Sequence, residues 1–129
     1  MSQAERRRYL RAALNIFLNE DISTGSLLTR AMDIGEGGVR YTKPAGAFQR
    51  DSQDILLEFS LPGDDLPIRA RGRVVRDRLD ESTHSSSVVF TSLGARSAER
   101  IRNYVISRKR AELFESMRQQ HLSPTAVTA

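Results

Sequence analysis

The chain contains no cysteine, which excludes disulfide staples and cysteine-based metal or redox chemistry. Lysine is almost missing, with Lys43 and Lys109 the only two. Aromatic residues make up 6%, too few to fill a core and also supply the stacking platforms that single-strand nucleic-acid binders use. No apolar run approaches the roughly 20 residues that span a bilayer. The N-terminus is polar and arginine-rich with no apolar run behind it, so neither a membrane span nor a secretory signal is expected. A GxxxxGK[ST] phosphate loop and a GxGxxG turn are both lacking. The two histidines, His84 and His121, do not have metal-ligand spacing. His84 beside Ser85, Ser86 and Ser87 in a polar loop is a poor nucleophile and base pair. The expectation from these absences is a cytoplasmic non-enzyme without metal or cofactor.

What is present is a 129-residue chain, one domain long and able to bury a single core. Its 20 Lys+Arg against 16 Asp+Glu give a net charge of +4, and nearly all of the positive side is arginine. The guanidinium group suits two-pronged recognition of phosphate and of guanine edges, and it stacks on bases. Either a nucleotide receptor or a nucleic-acid binder fits that skew.

Along the chain, residues 1–13 read as a flexible arginine-rich arm. Leu14, Ile16 and Leu18 alternate as a first strand, and Glu20 to Ser26 reads as a polar turn. Leu27 to Tyr41, LLTRAMDIGEGGVRY, reads as strand, tight turn, strand. Three glycines in four residues, Gly35, Gly37 and Gly38, require either φ > 0 or backbone lying flat against a neighbour. Lys43 to Ser52 is a loop with Pro44 and Gly46. Ile55, Leu57, Phe59 and Leu61 alternate cleanly, and Pro62 to Asp65 is a turn. Leu66, Ile68, Ala70 and Val74 form an apolar face opposite Arg69, Arg71 and Arg73, a row read first as the wet side of a sheet. Asp77 to Ser87 is a hydrophilic loop and Val88 to Phe90 a last short strand. Strands at this spacing without intervening helices predict an antiparallel barrel or sandwich over residues 14–94.

A helix is predicted over 95–120, with Ser97 as N-cap, followed by a disordered tail, 121–129. At about 100° per residue, Ile101, Tyr104 and Val105 share one stripe, facing the barrel. Ile106, Leu113, Phe114 and Met117 share a nearly opposite stripe. One helix cannot bury two opposed faces on a small barrel, so the second is expected to be an interface, through self-association or through docking on an effector.

Two motifs give the chain a likeness. The first is ERRRYLR, with Arg7 and Arg11 in RxxxR spacing and Arg6 and Arg8 beside them. The second is DIGEGG, with Asp33 and Gly38 at the ends and Gly35 between. In this order and at this distance they resemble the RxxxR and [DN]xSxxG motifs of the PilZ domain, the bacterial receptor module for cyclic di-GMP. The likeness covers roughly residues 5–118. It implies a mainly β fold, a small six-stranded antiparallel barrel with a C-terminal α-helix. It implies cyclic di-GMP as ligand and relay of its level to a partner effector protein. Carried over residue by residue, Arg7 and Arg11 bind guanine and phosphate, with Arg6 in a lesser role. Asp33 contacts guanine or orients an arginine, and Gly38 permits close approach. Gly35 stands where the family has serine, so one hydroxyl is missing. A Gly35→Ser change is therefore expected to tighten binding by about 0.5–1.5 kcal/mol, the net value of one hydrogen bond. Two rivals remain: a PilZ-like adaptor that has lost the ligand and works through protein contacts alone, and a nucleic-acid-binding β-barrel, the weaker of the two for want of aromatic platforms.

Overall fold

The computed structural model describes residues 10–22, 25–46, 50 and 52–128. Six strands, β1 (Arg11–Ile22), β2 (Gly25–Gly35), β3 (Gly38–Pro44), β4 (Asp54–Phe59), β5 (Ile68–Leu79) and β6 (Thr83–Ser92), precede one helix, α1 (Ala95–Thr128). Every strand pairs antiparallel with its neighbours, in the closed order β1-β2-β3-β6-β5-β4. This is the six-stranded barrel with a C-terminal helix that the resemblance implies, and of the barrel or sandwich that the strand spacing allows it is the barrel.

The alternating residues account for the interior. Leu14, Leu18, Ile34, Val39, Leu57, Phe59, Ile68, Val74 and Val88 are all buried in one cluster. Ile101 and Val105 of α1 join it, so the predicted inner stripe closes the barrel, with Tyr104 packed at its margin. Each fully buried aliphatic side chain contributes roughly 1.5–3 kcal/mol.

Several boundaries differ from the sequence reading, for physical reasons. β1 begins at Arg11, so the end of the expected arm is already strand. The hydrophilic stretch Asp77 to Ser87 is not a loop: β5 runs to Leu79 and β6 starts at Thr83, pairing Asp77 with Ser86 and Leu79 with His84. Lys43 and Pro44 belong to β3, and Leu66 precedes β5 and is exposed. The helix begins at Ala95, with Ala98 donating to the Gly94 carbonyl at 2.9 Å. Gly94 rather than Ser97 therefore stands at the N-cap. At the other end α1 continues past Gln120 and through Ser123 and Pro124 to Thr128, where a disordered tail was expected. Arg69 and Arg73 meet Glu58 and Asp54 across the β4–β5 pair at 3.0 Å each, as a solvated sheet face does.

Glu20, assigned to a turn by its polarity, is fully buried on β1. It continues the inward parity of Leu14 and Leu18. Its carboxylate accepts from the Tyr41 hydroxyl and from Arg50 Nε and Nη2 at 2.8 and 3.0 Å. Arg50 also grips both oxygens of Asp77 at 3.0 Å and Ser86 Oγ at 2.8 Å. Lys43 Nζ donates to Ser86 Oγ at 3.0 Å. This network threads the loop after β3 to β1, β3, β5 and β6. Burial, reinforced by the Glu20 carboxylate, raises the Tyr41 pKa. Burial and the Arg50 charge lower Lys43 from 10.5 to about 8.

The Lys43 shift gives a pH prediction. Between about pH 8 and 10 the folded chain has released the Lys43 proton while the unfolded chain still holds it, so stability rises with pH. Tyr41 opposes this only above its unfolded value of 10.0. Relative to Lys43→Met, the wild type should gain melting temperature from pH 8 to pH 10. Parallel curves for the two would show that Lys43 is not desolvated.

Candidate functional site

The second motif lies on the β2–β3 hairpin. Its two-residue turn, Glu36 and Gly37, sets the pairs Gly35↔Gly38, Ile34↔Val39 and Asp33↔Arg40. A bulge between Ala31 and Asp33 changes which way the carboxylate points. Ala31 and Ile34 both face inward and are fully buried, so Met32 and Asp33 between them both face out. Without the extra residue Asp33 would follow Ala31 into the core; bulges commonly re-aim a side chain in this way.

Asp33 thereby meets two guanidinium groups. Arg11 Nε donates to Oδ1 at 2.8 Å, and Arg11 Nη2 donates to the same oxygen. Arg40 Nε donates to Oδ2 at 2.9 Å. The Asp33 side chain is 23% exposed, against 43% and 49% for Arg11 and Arg40. Ion pairs this exposed contribute about 0–1 kcal/mol to stability. They are better suited to orientation: the carboxylate holds two planar cations on one face while Asp33 takes only the Nε of Arg40.

Arg40 was overlooked in the sequence. The signal was present, because counting outward from a two-residue turn places residue 40 opposite residue 33. Arg6 and Arg7, assigned to ligand binding, lie outside the described residues, so of the RxxxR pair the structure places Arg11 alone. Arg11 sits on the first position of β1, directly opposite Gly35.

Neither Gly35 nor Gly38 has a left-handed φ. Both instead lie flat against a neighbouring backbone. A Cβ on Gly38 would collide with the Val88 carbonyl of β6, and one on Gly35 would stand 2.5 Å from the Leu10 carbonyl oxygen. The expectation that Gly35→Ser tightens binding is thereby corrected: the side chain that would carry the hydroxyl has no room until the backbone at Leu10 moves. Gly35→Ser should lower the melting temperature and bind cyclic di-GMP no more tightly than wild type. A tighter complex with unchanged melting temperature would show that the Leu10 backbone yields freely.

The site is tied to the helix. Arg102 of α1 clasps both oxygens of Glu36, in the hairpin turn, at 2.9 and 3.1 Å. The Tyr104 hydroxyl donates to the Ala13 carbonyl at 3.0 Å, and Ala13 is paired with Asp33.

Elsewhere, His84 Nε2 and Ser86 Oγ both bond Asp77 Oδ1, at 2.9 and 2.7 Å. The carboxylate stands between hydroxyl and imidazole, so this is not the nucleophile–base order of a triad. Burial alone would raise the Asp77 pKa, but the Ser86, His84 and Arg50 hydrogen bonds hold it below the usual carboxylate value.

A family model described as "PilZ domain" matches residues 5–107. The chain belongs to the PilZ family. Among solved structures it is similar to the Bacillus subtilis inhibitor of motility MotI/DgrA, with TM-score 0.72 and 18% identity over 81% of this chain and 51% of that one. Escherichia coli YcgR in complex with c-di-GMP gives TM-score 0.71 and 16% identity over 88% and 50%. The K. pneumonia MrkH–c-di-GMP complex gives TM-score 0.67 and 21% identity over 88% and 54%. The chain spans about half the length of each of these three proteins. No curated protein matches the sequence. Among the described residues no helix is long and apolar enough to cross a membrane. Of the residues in the two motifs, Arg11 and Asp33 thus lie together on one face beside Arg40.

Proposed function

We propose that the chain is a non-catalytic, cytoplasmic cyclic di-GMP receptor that passes the ligand's level to an effector protein. The observation that carries this reading is the Asp33 carboxylate held between the exposed guanidinium groups of Arg11 and Arg40, with a flat glycine on either side of the turn. Two phosphates and two guanine Hoogsteen edges are planar, multi-acceptor targets, and arginine meets both in bidentate fashion. Arg7, with Arg6 beside it, closes over the ligand from the segment ahead of β1, while Gly35 and Gly38 keep the backbone low beneath it.

The relay uses α1. Ligand pulls on Arg11 and Asp33, and the Arg102–Glu36 and Tyr104–Ala13 contacts pass any shift of the hairpin to the helix, an order-on-binding switch with a mechanical output. Leu113, Phe114 and Met117 are 63%, 67% and 58% exposed on that helix and supply the partner surface. Ile106 is half-buried and marks its inner margin. Leu113→Asp and Phe114→Asp should each reduce self-association or effector docking in sedimentation while leaving the fold intact. Unchanged sedimentation, alone and with the effector, would remove the helix from the relay.

Isothermal titration of the chain with cyclic di-GMP tests the main reading, with saturable one-site binding expected. A folded protein giving no heat would favour the rival adaptor that has lost the ligand and works by protein contacts alone.

A further inference from the structure

Beyond the motif residues, the outer face of β1, β2 and β3 carries an exposed aromatic ring with a cation over it. Phe17 and Arg30 are directly paired across β1 and β2, and the Arg30 guanidinium lies 4.9 Å from the Phe17 ring centroid. Asn15 Oδ1 accepts from Arg30 Nη1, which fixes the guanidinium plane from a second side. On β3, Thr42 stands opposite Arg30. Leu28 and Met32 lie one step either way along β2, and Phe17, Leu28 and Met32 are 59%, 55% and 40% exposed. An open groove of about 360 Å³ runs along this face past Phe17, Leu28, Arg30 and Thr42.

Solvated sheet faces ordinarily carry polar side chains. This one has an aromatic ring, two flexible apolar side chains and an immobilised guanidinium, with hydroxyl and amide groups at the sides. Such a surface offers a flat, weakly hydrated cation against which a base can stack. Its position selects the ligand. Arg30 is three residues from Asp33 along β2, about 10 Å on the same outer face. The groove leads from Arg30 away from the Arg11–Asp33–Arg40 cluster toward Pro44, Ser82 and Thr83, so a dinucleotide anchored at the cluster meets Arg30 at the near end of the groove. We infer that it is a base-stacking subsite, in which one purine of the dinucleotide lies on the outer face of the Arg30 guanidinium while Phe17 supports the inner face. The inference rests on the receptor reading above and names a second part of the same site, one that neither motif contains.

Titration of cyclic di-GMP into wild type, Phe17→Ala, Arg30→Gln and Arg30→Lys tests it. Loss of one stacked base corresponds to a roughly five- to hundredfold rise in Kd, expected in Phe17→Ala and Arg30→Gln with the melting temperature unchanged. Arg30→Lys keeps the charge and removes the plane, so it should resemble Arg30→Gln. Wild-type affinity in Arg30→Lys would mean simple charge attraction and overturn the stacking role. Tight binding by wild type with Phe17→Ala and Arg30→Gln within twofold of it would overturn the subsite and leave the receptor reading standing. Absence of binding by wild type would overturn both.

Discussion

Replacing Arg11 by alanine should weaken cyclic di-GMP binding by about 1.5–3 kcal/mol, the range for hydrogen bonds to a charged group, or roughly ten- to hundredfold in Kd. In the proposed site Arg11 has two parts: its guanidinium reaches the ligand, and it shares the Asp33 carboxylate with Arg40. The alanine variant loses both, because Asp33 is then free to draw Arg40 toward itself. Arg40→Ala, which removes one aligned cation, should cost less. Arg7→Ala should fall within the same range of about 1.5–3 kcal/mol, since the RxxxR spacing assigns both arginines to the ligand. Fold stability should barely respond, because ion pairs this exposed contribute little. Titration at fixed ionic strength, paired with melting curves, decides it. Equal losses from Arg6, Arg7, Arg8 and Arg11 would indicate a diffuse field of positive charge, and unchanged affinity in Arg11→Ala would remove the site from this face.

The largest effect on stability is expected at Glu20. Glu20→Gln leaves the nearly buried Arg50 guanidinium, 6% exposed, facing a neutral amide in place of its carboxylate. Removing one partner of a buried ion pair costs about 3–5 kcal/mol, a large share of the 5–15 kcal/mol that holds a domain folded. Asp77 softens the loss by keeping its own bonds to Arg50, so the lower end of the range is expected. Denaturant unfolding of Glu20→Gln measures it. Replacing both partners by apolar residues, Glu20→Met with Arg50→Met, should recover part of the loss, the remainder staying because the buried Tyr41 hydroxyl loses Glu20 and Asp77 loses Arg50. A loss below about 1 kcal/mol in the single variant would mean that Arg50 turns outward and that the loop is held by other contacts.

Most of the barrel was legible because its strands carry their burial in local alternation. Ile55, Leu57, Phe59 and Leu61 are all buried, and nothing outside that stretch is needed to read them. Reading failed where polar residues face inward. Glu20 looked like a turn because its partners, Tyr41 and Arg50, lie 21 and 30 residues away. Asp77, His84 and Ser86 looked like a loop because the inner side of β5 and β6 meets that same network rather than aliphatic chains. Parity alone would have placed Glu20 inside, but polarity was weighted above it. The site divides along the same line. Asp33 and Gly38 were singled out by their likeness to the PilZ motif, and Arg40, opposite Asp33, was recoverable by counting from the turn. The contact between Gly35 and Leu10 depends on how closely two backbones approach, which no residue type in that stretch encodes.

Closure of the sheet has a consequence for how any signal leaves the molecule. Each of the six strands has a hydrogen-bonded neighbour on both sides, and among the described residues free edge is confined to the ends of the longer strands, such as Arg11–Phe17 of β1, which lies beyond its pairing with β4. Recognition by backbone pairing, which tolerates wide variation in the partner's side chains, is therefore limited to such short stretches. Over the rest of the surface whatever binds must read side chains, and its fit will depend on the residues presented. Point substitutions on the outer surface should then separate partners from one another, silencing one output while the ligand is bound as before.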